Sequence, residues 1–339
     1  MNSKVMLAGV LTIALGTVPV ATAEDAAQRS GNLDAMYALI DGITNGTLTE
    51  SEVRALVAPS TNQYPYSVWA QYQRSSVKDD RGVLGKEADS DTYATGIDYR
   101  LNSRTVLGIG ILHQDVEMES DVSPAPLGGY TDVDNDGNGL MLYGSYVLNN
   151  GLLVDGSFSY VRTNVSITDG SAFADPTQKS TDSTDYALAV GISAPVLPVA
   201  ERIWLDARAS FTHAWGEQDS FYDVFDRRHD GQDYQVGTLG VTSNLNYRVN
   251  EWFIPYAGVN VGYDLYSDAA DPDDVLNPGG WSATEVPNQG ERDEFSYGYQ
   301  VGVYSPLSDT FSVAASFADT RWGSELKVRS LAVTGRLLF

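Results

Sequence analysis

The feature that most constrains the fold is an alternation of apolar with small or polar residues, which recurs in twelve segments from Tyr66 onward. A period of two is typical of β-strands, because successive side chains point to opposite faces of the sheet. The segments run about 10–15 residues, whereas strands of soluble proteins usually have five or six. The clearest segments are 93–101, 107–111, 152–160, 186–192, 203–211, 239–247, 253–263, 295–303, 311–317 and 331–339, and those at 67–77 and 138–148 alternate more weakly.

The residues between the apolar ones favour a membrane barrel over a water-soluble β-sandwich. In the second segment they include Thr92, Gly96 and Asp98, and in the last Ser330 and Thr334. Long strands with aromatic ends, one apolar face and one polar face fit a lipid-facing wall around a polar lumen, and bacterial barrels have an even number of strands. The sequence therefore predicts an all-β fold, a 12-stranded antiparallel transmembrane β-barrel over residues 67–339.

The connections between the segments alternate in length as well. Short links at 101–104, 148–151, 195–201, 249–251 and 306–309 separate longer ones near 78–91, 116–137, 167–185, 216–233, 264–294 and 320–329. Outer-membrane barrels have short periplasmic turns and longer extracellular loops. We therefore expect the long loops to be extracellular and, with an even strand count, both chain ends to be periplasmic.

The first 66 residues follow other patterns. In residues 1–23, Lys4 precedes an apolar run that ends in an Ala-Thr-Ala cleavage site, which is typical of a secretory signal peptide. The run is interrupted by glycine and proline and falls short of the ~20 apolar residues of a membrane span. Residues 24–66 have apolar residues at helical spacing and a capping box from Thr49 to Glu52, which predicts a short helical segment.

Charge and composition exclude several classes of protein. The chain has 45 acidic and 21 basic residues, a net charge of −24, and no cysteine. Nucleic-acid binding, disulfide scaffolds and thiolate metal sites are therefore not expected. The six long connections hold 31 acids and 10 bases, so the excess charge lies outside the strands. This placement predicts that divalent cations bridge the acidic outer surface to lipopolysaccharide or that the surface binds a basic partner.

Charged residues also fall at polar positions of the predicted strands. A charge facing the lumen either lines an aqueous path or joins an interior ion-pair network, and the mixed signs here favour the network. The candidate lumen-lining residues are Asp98, Arg100, Asp155, Asp206, Arg208, Arg248 and Arg336.

One acidic segment resembles a calcium-binding loop. Asp132, Asp134 and Asp136 have the D-x-D-x-D-G spacing that can surround a hard cation, but Tyr143 stands where such a loop needs glutamate. A solvated acidic loop is the first interpretation, and weak Ca²⁺ binding is the alternative. The acidic run at 271–274 has the same two interpretations, a solvated loop first and weak Ca²⁺ binding as the alternative. No resident cofactor is expected.

The three histidines carry little catalytic potential. His229 precedes Asp230 in a long connection, where a His/Asp pair could activate water, whereas His113 and His213 fall in strands without a recognisable serine partner. No catalytic residue is therefore predicted.

The opening strands and the end of the chain resemble the autotransporter translocator barrel family. The segments that carry the likeness are 67–72, 91–101, 107–110, the Pro-Tyr step within 254–259, and the ending Gly335-Arg336-Leu337-Leu338-Phe339. The resemblance implies that Phe339 is part of a signal for the barrel-assembly machinery. It also implies that the predicted N-terminal helix corresponds to the family's pore-spanning helix. Only 43 residues separate the signal peptide from the barrel, so little or no passenger is expected.

Three functions follow as alternatives. The first is an autotransporter-type barrel with a vestigial passenger, embedded as a monomer in the outer membrane of a Gram-negative cell, its lumen occupied by its own N-terminal helix. The second is a small porin or diffusion channel with an open lumen. The third is an enzyme or adhesin whose active surface lies in the long loops.

Overall fold

A computed structural model describes residues 64–79, 86–102, 104–122, 129–171, 174–194, 197–222, 228–229, 232–268, 294–308, 310–324 and 326–339. The expected signal peptide and almost all of the expected helical segment lie outside these residues. No helix among the described residues is long and apolar enough to cross a membrane. The strands are β1 (Tyr66–Asp79), β2 (Lys86–Asn102), β3 (Thr105–Val122), β4 (Gly129–Val147), β5 (Leu153–Ser171), β6 (Ala174–Ser193), β7 (Leu197–Ala200), β8 (Ile203–Gln218), β9 (Phe221–Tyr222), β10 (Arg228–His229), β11 (Gln232–Tyr247), β12 (Ile254–Asp268), β13 (Phe295–Pro306), β14 (Phe311–Trp322) and β15 (Leu326–Leu338).

Twelve long strands form a closed antiparallel barrel, which confirms the predicted fold. Each of β1–β6, β8 and β11–β15 pairs with the next long strand along the chain, and β15 pairs with β1. The closing pair keeps an unbroken register from Ser67↔Leu338 to Asp79↔Leu326. The four-residue β7 adds to β8, and β9 with β10 forms a separate two-stranded ribbon. Closure satisfies the backbone of both end strands, as a sheet within lipid requires.

The two faces of the wall differ as the alternation predicts. In β1, Ser67, Gln71 and Ser75 are buried on the inner face, whereas Tyr66 and Val68 are exposed on the outer face. Large apolar side chains stay exposed at the outward positions of the other strands too, including Leu107, Ile109, Ile111, Leu140, Leu142, Val241, Val259, Leu331 and Val333. Such a surface is typical of a wall that faces lipid, since soluble monomers rarely expose contiguous apolar patches of this extent.

Aromatic side chains border this apolar band at both ends. At the end with the short connections, which we call the short-turn end, Tyr66 stacks on Tyr99 at a centroid distance of 5.2 Å. At the opposite end, the long-connection end, Tyr186, Trp215 and His213 form a continuous stack with centroid distances of 5.4 and 4.8 Å. Aromatic girdles of this kind mark the two membrane–water interfaces of a barrel.

The strands extend far beyond the apolar band on one side, where the sequence predicts loops. Most of 116–137 belongs to β3 and β4, with only residues 123–128 between them, and 167–185 belongs mainly to β5 and β6. Outside the membrane both faces of a strand meet water, so apolar residues no longer mark one face and the period of two disappears from the sequence. The predicted loop boundaries were therefore wrong here, although the strand order was right.

Candidate functional site

The seven predicted lumen residues all lie on the inner wall near the short-turn end. Each stands a few residues from a short connection, at the end of β2, β11 or β15 or at the start of β5 or β8. Their inward orientation follows from the strand period of two, because each lies an even number of residues from the inward polar residues of its strand. We call this set the inner charge band: Asp98, Arg100, Asp155, Asp206, Arg208, Arg248 and Arg336.

An ion pair joins the last strand to the second across the closing strand β1. Arg336 donates to a carboxylate oxygen of Asp98, and both side chains are almost fully buried, at 4% and 3% exposed. Arg336 Nε and Nη2 also donate to Ser67 Oγ at 3.1 and 2.9 Å, and Ser67 in turn donates to Asp98 Oδ2 at 2.7 Å. Three strands thus share one charge-assisted network at the barrel seam, where β15 closes on β1.

Two aromatic side chains extend this network along the inner wall. The Tyr143 hydroxyl donates to Asp98, and Trp69 Nε1 donates to the Tyr143 hydroxyl. The rings lie flat on β2 and β3 because the residues beneath them are glycines. A Cβ on Gly96 would be 2.6 Å from the Trp69 ring, and one on Gly108 would be 2.1 Å from the Tyr143 ring. Four strands are therefore linked by side chains that lie against the wall.

A second buried ion pair links β5 to β8. Arg208 Nη2 donates to Asp155 Oδ2 at 2.5 Å, and the two side chains are 13% and 2% exposed. The arginine reaches its partner across β6 at Gly191, where a Cβ would stand 2.4 Å from Nη2. A strand glycine thus allows close approach of a long side chain to the backbone.

Asp206 on β8 and Arg248 at the end of β11 use amide and aromatic partners. Asp206 accepts hydrogen bonds from the side-chain nitrogens of Asn244 at 2.8 Å and Asn246 at 2.9 Å. Arg248 lies over the ring of Trp204 at 5.6 Å from the centroid, in a cation–π arrangement. The two ion pairs and these contacts give six of the seven band residues a partner on the inner wall.

A small cavity opens beside this network at the point where the chain enters the barrel. It is lined by Tyr64, Pro65, Ser67, Asp98, Arg100 and Arg336, among others. The Pro65 carbonyl accepts a hydrogen bond from the backbone N–H of Arg100 at 2.9 Å. The segment that precedes β1 therefore meets the inner charge band directly.

The aspartates of the expected cation loop lie in a strand instead. Within β4, Asp132 stands opposite Glu119, Asp134 opposite Glu117, and Asp136 opposite Asp115. Asp134 and Asp136 are exposed on the outer face, beyond the apolar band. The acidic run at 271–274 lies outside the described residues. Binding of Ca²⁺ stays a prediction, but the sharp turn on which a calcium loop depends is replaced here by extended backbone.

The structure brings Asp136 close to a histidine. Potential ligand atoms of His113, Asp115 and Asp136 lie within 4.8 Å of one another on the outer wall. Asn138 orients two of them, because its Oδ1 lies 3.1 Å from His113 Nδ1 and its Nδ2 donates to Asp136 Oδ1 at 3.3 Å. An imidazole with two carboxylates is a donor set that a divalent transition metal can use.

Among the described side chains, His113 and His213 take no part in a recognisable catalytic arrangement. His213 lies in the outer aromatic stack, its Nδ1 2.9 Å from the Tyr266 hydroxyl, and His113 lies beside the Tyr93 ring. His229 belongs to β10, opposite Phe221, and Asp230 lies outside the described residues. Ser67, Trp69 and Tyr143 were not among the predicted site residues, although inward glycines at 96, 108 and 110 indicate where large side chains can lie flat.

Comparison with known proteins agrees with this architecture. The sequence model of the autotransporter β-domain matches residues 68–318. Among solved structures, the translocator domain of the autotransporter NalP from Neisseria meningitidis is similar with a TM-score of 0.66 and 13% identity, covering 93% of this chain and 98% of that one. The β-domain of the Bordetella autotransporter BrkA aligns with a TM-score of 0.57 and 12% identity, covering 81% and 100%. The transport unit of AIDA-I from Escherichia coli gives 0.53 and 13%, covering 90% and 98%. The comparison with curated protein sequences finds no match.

Proposed function

The chain belongs to the autotransporter β-domain family of outer-membrane translocator barrels, and we propose that its lumen is occupied by its own N-terminal segment, residues 24–63. Members of this family are transporters, and no enzymatic role is part of the proposal. The single observation that supports a filled lumen is the inner charge band, which meets the preceding segment at Tyr64 and Pro65.

Charge complementarity supports the proposal. The inner charge band contains four arginines and three aspartates. The N-terminal segment, residues 24–63, contains six acids and two bases, so it is net negative. A helix of that composition would enter a lumen mouth of slight positive excess, where the low dielectric strengthens charge-assisted hydrogen bonds.

The proposed orientation places the short-turn end in the periplasm. Short turns on one side and longer strand extensions with connections on the other are the periplasmic and extracellular sides of outer-membrane barrels. Both Tyr66 and Phe339 stand at the short-turn end. The acid-rich extensions of β2–β4 would then project from the cell surface.

Single-channel conductance tests the filled lumen. The chain is reconstituted in planar bilayers with and without residues 24–63, and Tyr64 and Pro65 are retained because Pro65 is bonded to Arg100. We expect the deletion to raise conductance by about tenfold or more, because removing a helix restores an aqueous path through the lumen. Heat-modifiable migration in gels confirms that both proteins are folded barrels.

A matched control separates filling from general leakiness. Replacement of Asp34, Asp41, Glu50 and Glu52 by their amides keeps the length of the segment and removes its net negative charge. We expect this variant to show frequent opening events, between the two extremes. High conductance of the intact chain, unchanged by the deletion, would instead identify an open diffusion channel and contradict the proposal.

A further inference from the structure

The outer wall carries a sector of positive charge at the barrel seam, in a chain whose net charge is −24. On β14 and β15, Arg321 stands directly opposite Lys327, and Asp319 stands opposite Arg329. Lys327 in turn stands opposite Lys78 on β1. We call Arg321, Lys327, Arg329 and Lys78 the seam basic patch.

Like charges face each other within this patch. Arg321, Lys327 and Lys78 form a row on three adjacent strands, and like charges directly opposite each other are destabilising by themselves. Asp319 compensates part of the repulsion. Its carboxylate, 3% exposed, lies 3.1 Å from Arg321 Nε, 3.2 Å from Lys327 Nζ and 3.1 Å from Arg329 Nε. One carboxylate among three cations leaves an excess of positive charge, which an external anion would neutralise.

The arginines are arranged so that they can bind such an anion. Both contact Asp319 through Nε, and among the described residues their Nη nitrogens have no hydrogen-bond partner. Arg321 and Arg329 are 46% and 58% exposed, so these nitrogens are accessible from outside the barrel. Guanidinium nitrogens held in this way favour the bidentate recognition of phosphate.

The height of the patch on the wall identifies the source of the anion. On β15 the outward residues from Leu337 to Leu331 are apolar and exposed, and Arg329 and Lys327 follow directly. On β14 the outward Phe317 precedes Asp319 and Arg321. The patch therefore begins where the hydrocarbon-facing band ends, at the level of the lipid headgroups at the long-connection end.

The neighbouring sector has the opposite charge. At the edge of the patch Lys78 is balanced by Glu87 at 3.2 Å, and Arg74 by Asp89 at 3.0 Å. Beyond these pairs the outward positions of β3 and β4 carry Asp115, Glu117, Asp134 and Asp136. An anionic headgroup is repelled there and attracted at the seam. We propose that the seam basic patch binds the phosphate groups of lipopolysaccharide in the outer leaflet. The assignment to that leaflet rests on the orientation given under Proposed function, but not on the filled lumen.

Lipid binding by the full chain tests the proposal. The barrel is refolded in neutral detergent, and its unfolding temperature is measured by heat-modifiable migration as diphosphorylated lipid A is added. We expect lipid A to raise the unfolding temperature of the wild-type chain, because a ligand that binds only the folded state stabilises it. The triple variant R321Q/K327Q/R329Q is expected to need about tenfold or more lipid A for the same shift.

The control removes the same charge elsewhere. Arg104 and Arg202 lie in short connections, and Arg162 lies on the outer face of β5, paired one to one with Asp182 at 2.9 Å. The variant R104Q/R162Q/R202Q should respond to lipid A as the wild type does. If the triple patch variant fails to refold, K327Q and K327R are compared, and only K327R should keep the response.

Three further additives decide the source of the anion: dephosphorylated lipid A, inorganic phosphate and phosphatidylglycerol. Dephosphorylated lipid A and inorganic phosphate at equal phosphate concentration should produce little shift, because the first lacks the anion and the second lacks the membrane anchor. Equal responses of the patch and control variants would overturn the proposal. A full response to inorganic phosphate, or to phosphatidylglycerol but not lipid A, would overturn the assignment to lipopolysaccharide. The conductance of the N-terminal deletion is a separate measurement, so the two proposals can fail independently.

Discussion

Tyr66 and the carboxy-terminal Phe339 connect the first and last strands of the barrel by exchanging both of their backbone hydrogen bonds. Tyr66 N donates to the Phe339 carbonyl at 3.2 Å, and Phe339 N donates to the Tyr66 carbonyl at 2.9 Å. Their rings also stack, with centroids 6.0 Å apart and planes inclined by 24°. The first and last residues of the wall therefore close the sheet at the level of the short-turn aromatic girdle.

Removal of Phe339 should weaken closure of the barrel. Deletion of the residue loses both backbone bonds and the ring stack, worth about 0.5–1.5 kcal/mol for each contact, whereas Phe339→Ala loses mainly the stack. We expect the unfolding free energy in detergent to fall in that order. Phe311→Ala is the matched control, since Phe311 is an exposed outward ring at the same end and lies on β14, away from the closing pair.

The same variants examine the expected role of Phe339 in assembly. A closure defect lowers stability in refolded protein and in cells alike, whereas loss of an assembly signal lowers only the amount of folded barrel recovered from outer membranes. We expect both effects for the deletion. Equal recovery of the wild type and the deletion from cells would contradict the signal.

The Asp98–Arg336 pair should behave as a buried network whose partners depend on each other. Arg336→Met leaves a carboxylate 3% exposed without its cation, which costs about 3–5 kcal/mol for buried pairs. Adding Asp98→Asn to that variant removes the uncompensated charge and should restore a large part of the loss. Urea unfolding of the wild type, Arg336→Met, Asp98→Asn and the double variant gives the coupling energy. Strictly additive losses would show that the two side chains act independently.

Gly191 should be required for the Asp155–Arg208 pair. A Cβ at this position would stand 2.4 Å from Arg208 Nη2, so Gly191→Ala must displace the guanidinium and separate the ion pair. We expect a loss of about 1–3 kcal/mol, the usual range for inserting a methyl group into a filled site. Gly156→Ala on the neighbouring strand is the control, because its Cβ would meet nothing closer than 3.4 Å.

The alternation predicted the barrel because lipid and lumen impose opposite polarities on alternate residues. It also placed Asp98 and Arg208 on the inner wall, since parity is enough to assign a face. The alternation does not show which inward side chains contact each other. Asp98 and Arg336 are 238 residues apart, and they meet only because β15 closes on β1 in the observed register.

The seam basic patch was not predicted from the sequence, for a related reason. Arg321, Lys327 and Arg329 fall in a connection predicted at 320–329, and charges in a loop are expected to be solvated. The structure places all three in strands, where pairing across β14 and β15 brings them together around one carboxylate. A signal was present, because this is the one long connection in which bases outnumber acids. Only the strand register shows that these bases lie together on one surface.

The extension of β4 beyond the bilayer can be measured with single cysteines, because the chain has none of its own. Asp134 and Leu140 share the outward face of β4, but Asp134 lies above the apolar band and Leu140 lies within it. Asn149 is exposed in the short connection after β4. In intact cells a membrane-impermeant maleimide should label Asp134→Cys and spare Leu140→Cys, which lipid covers. Asn149→Cys should react only after the outer membrane is permeabilised, and the reverse pattern for positions 134 and 149 would invert the proposed orientation.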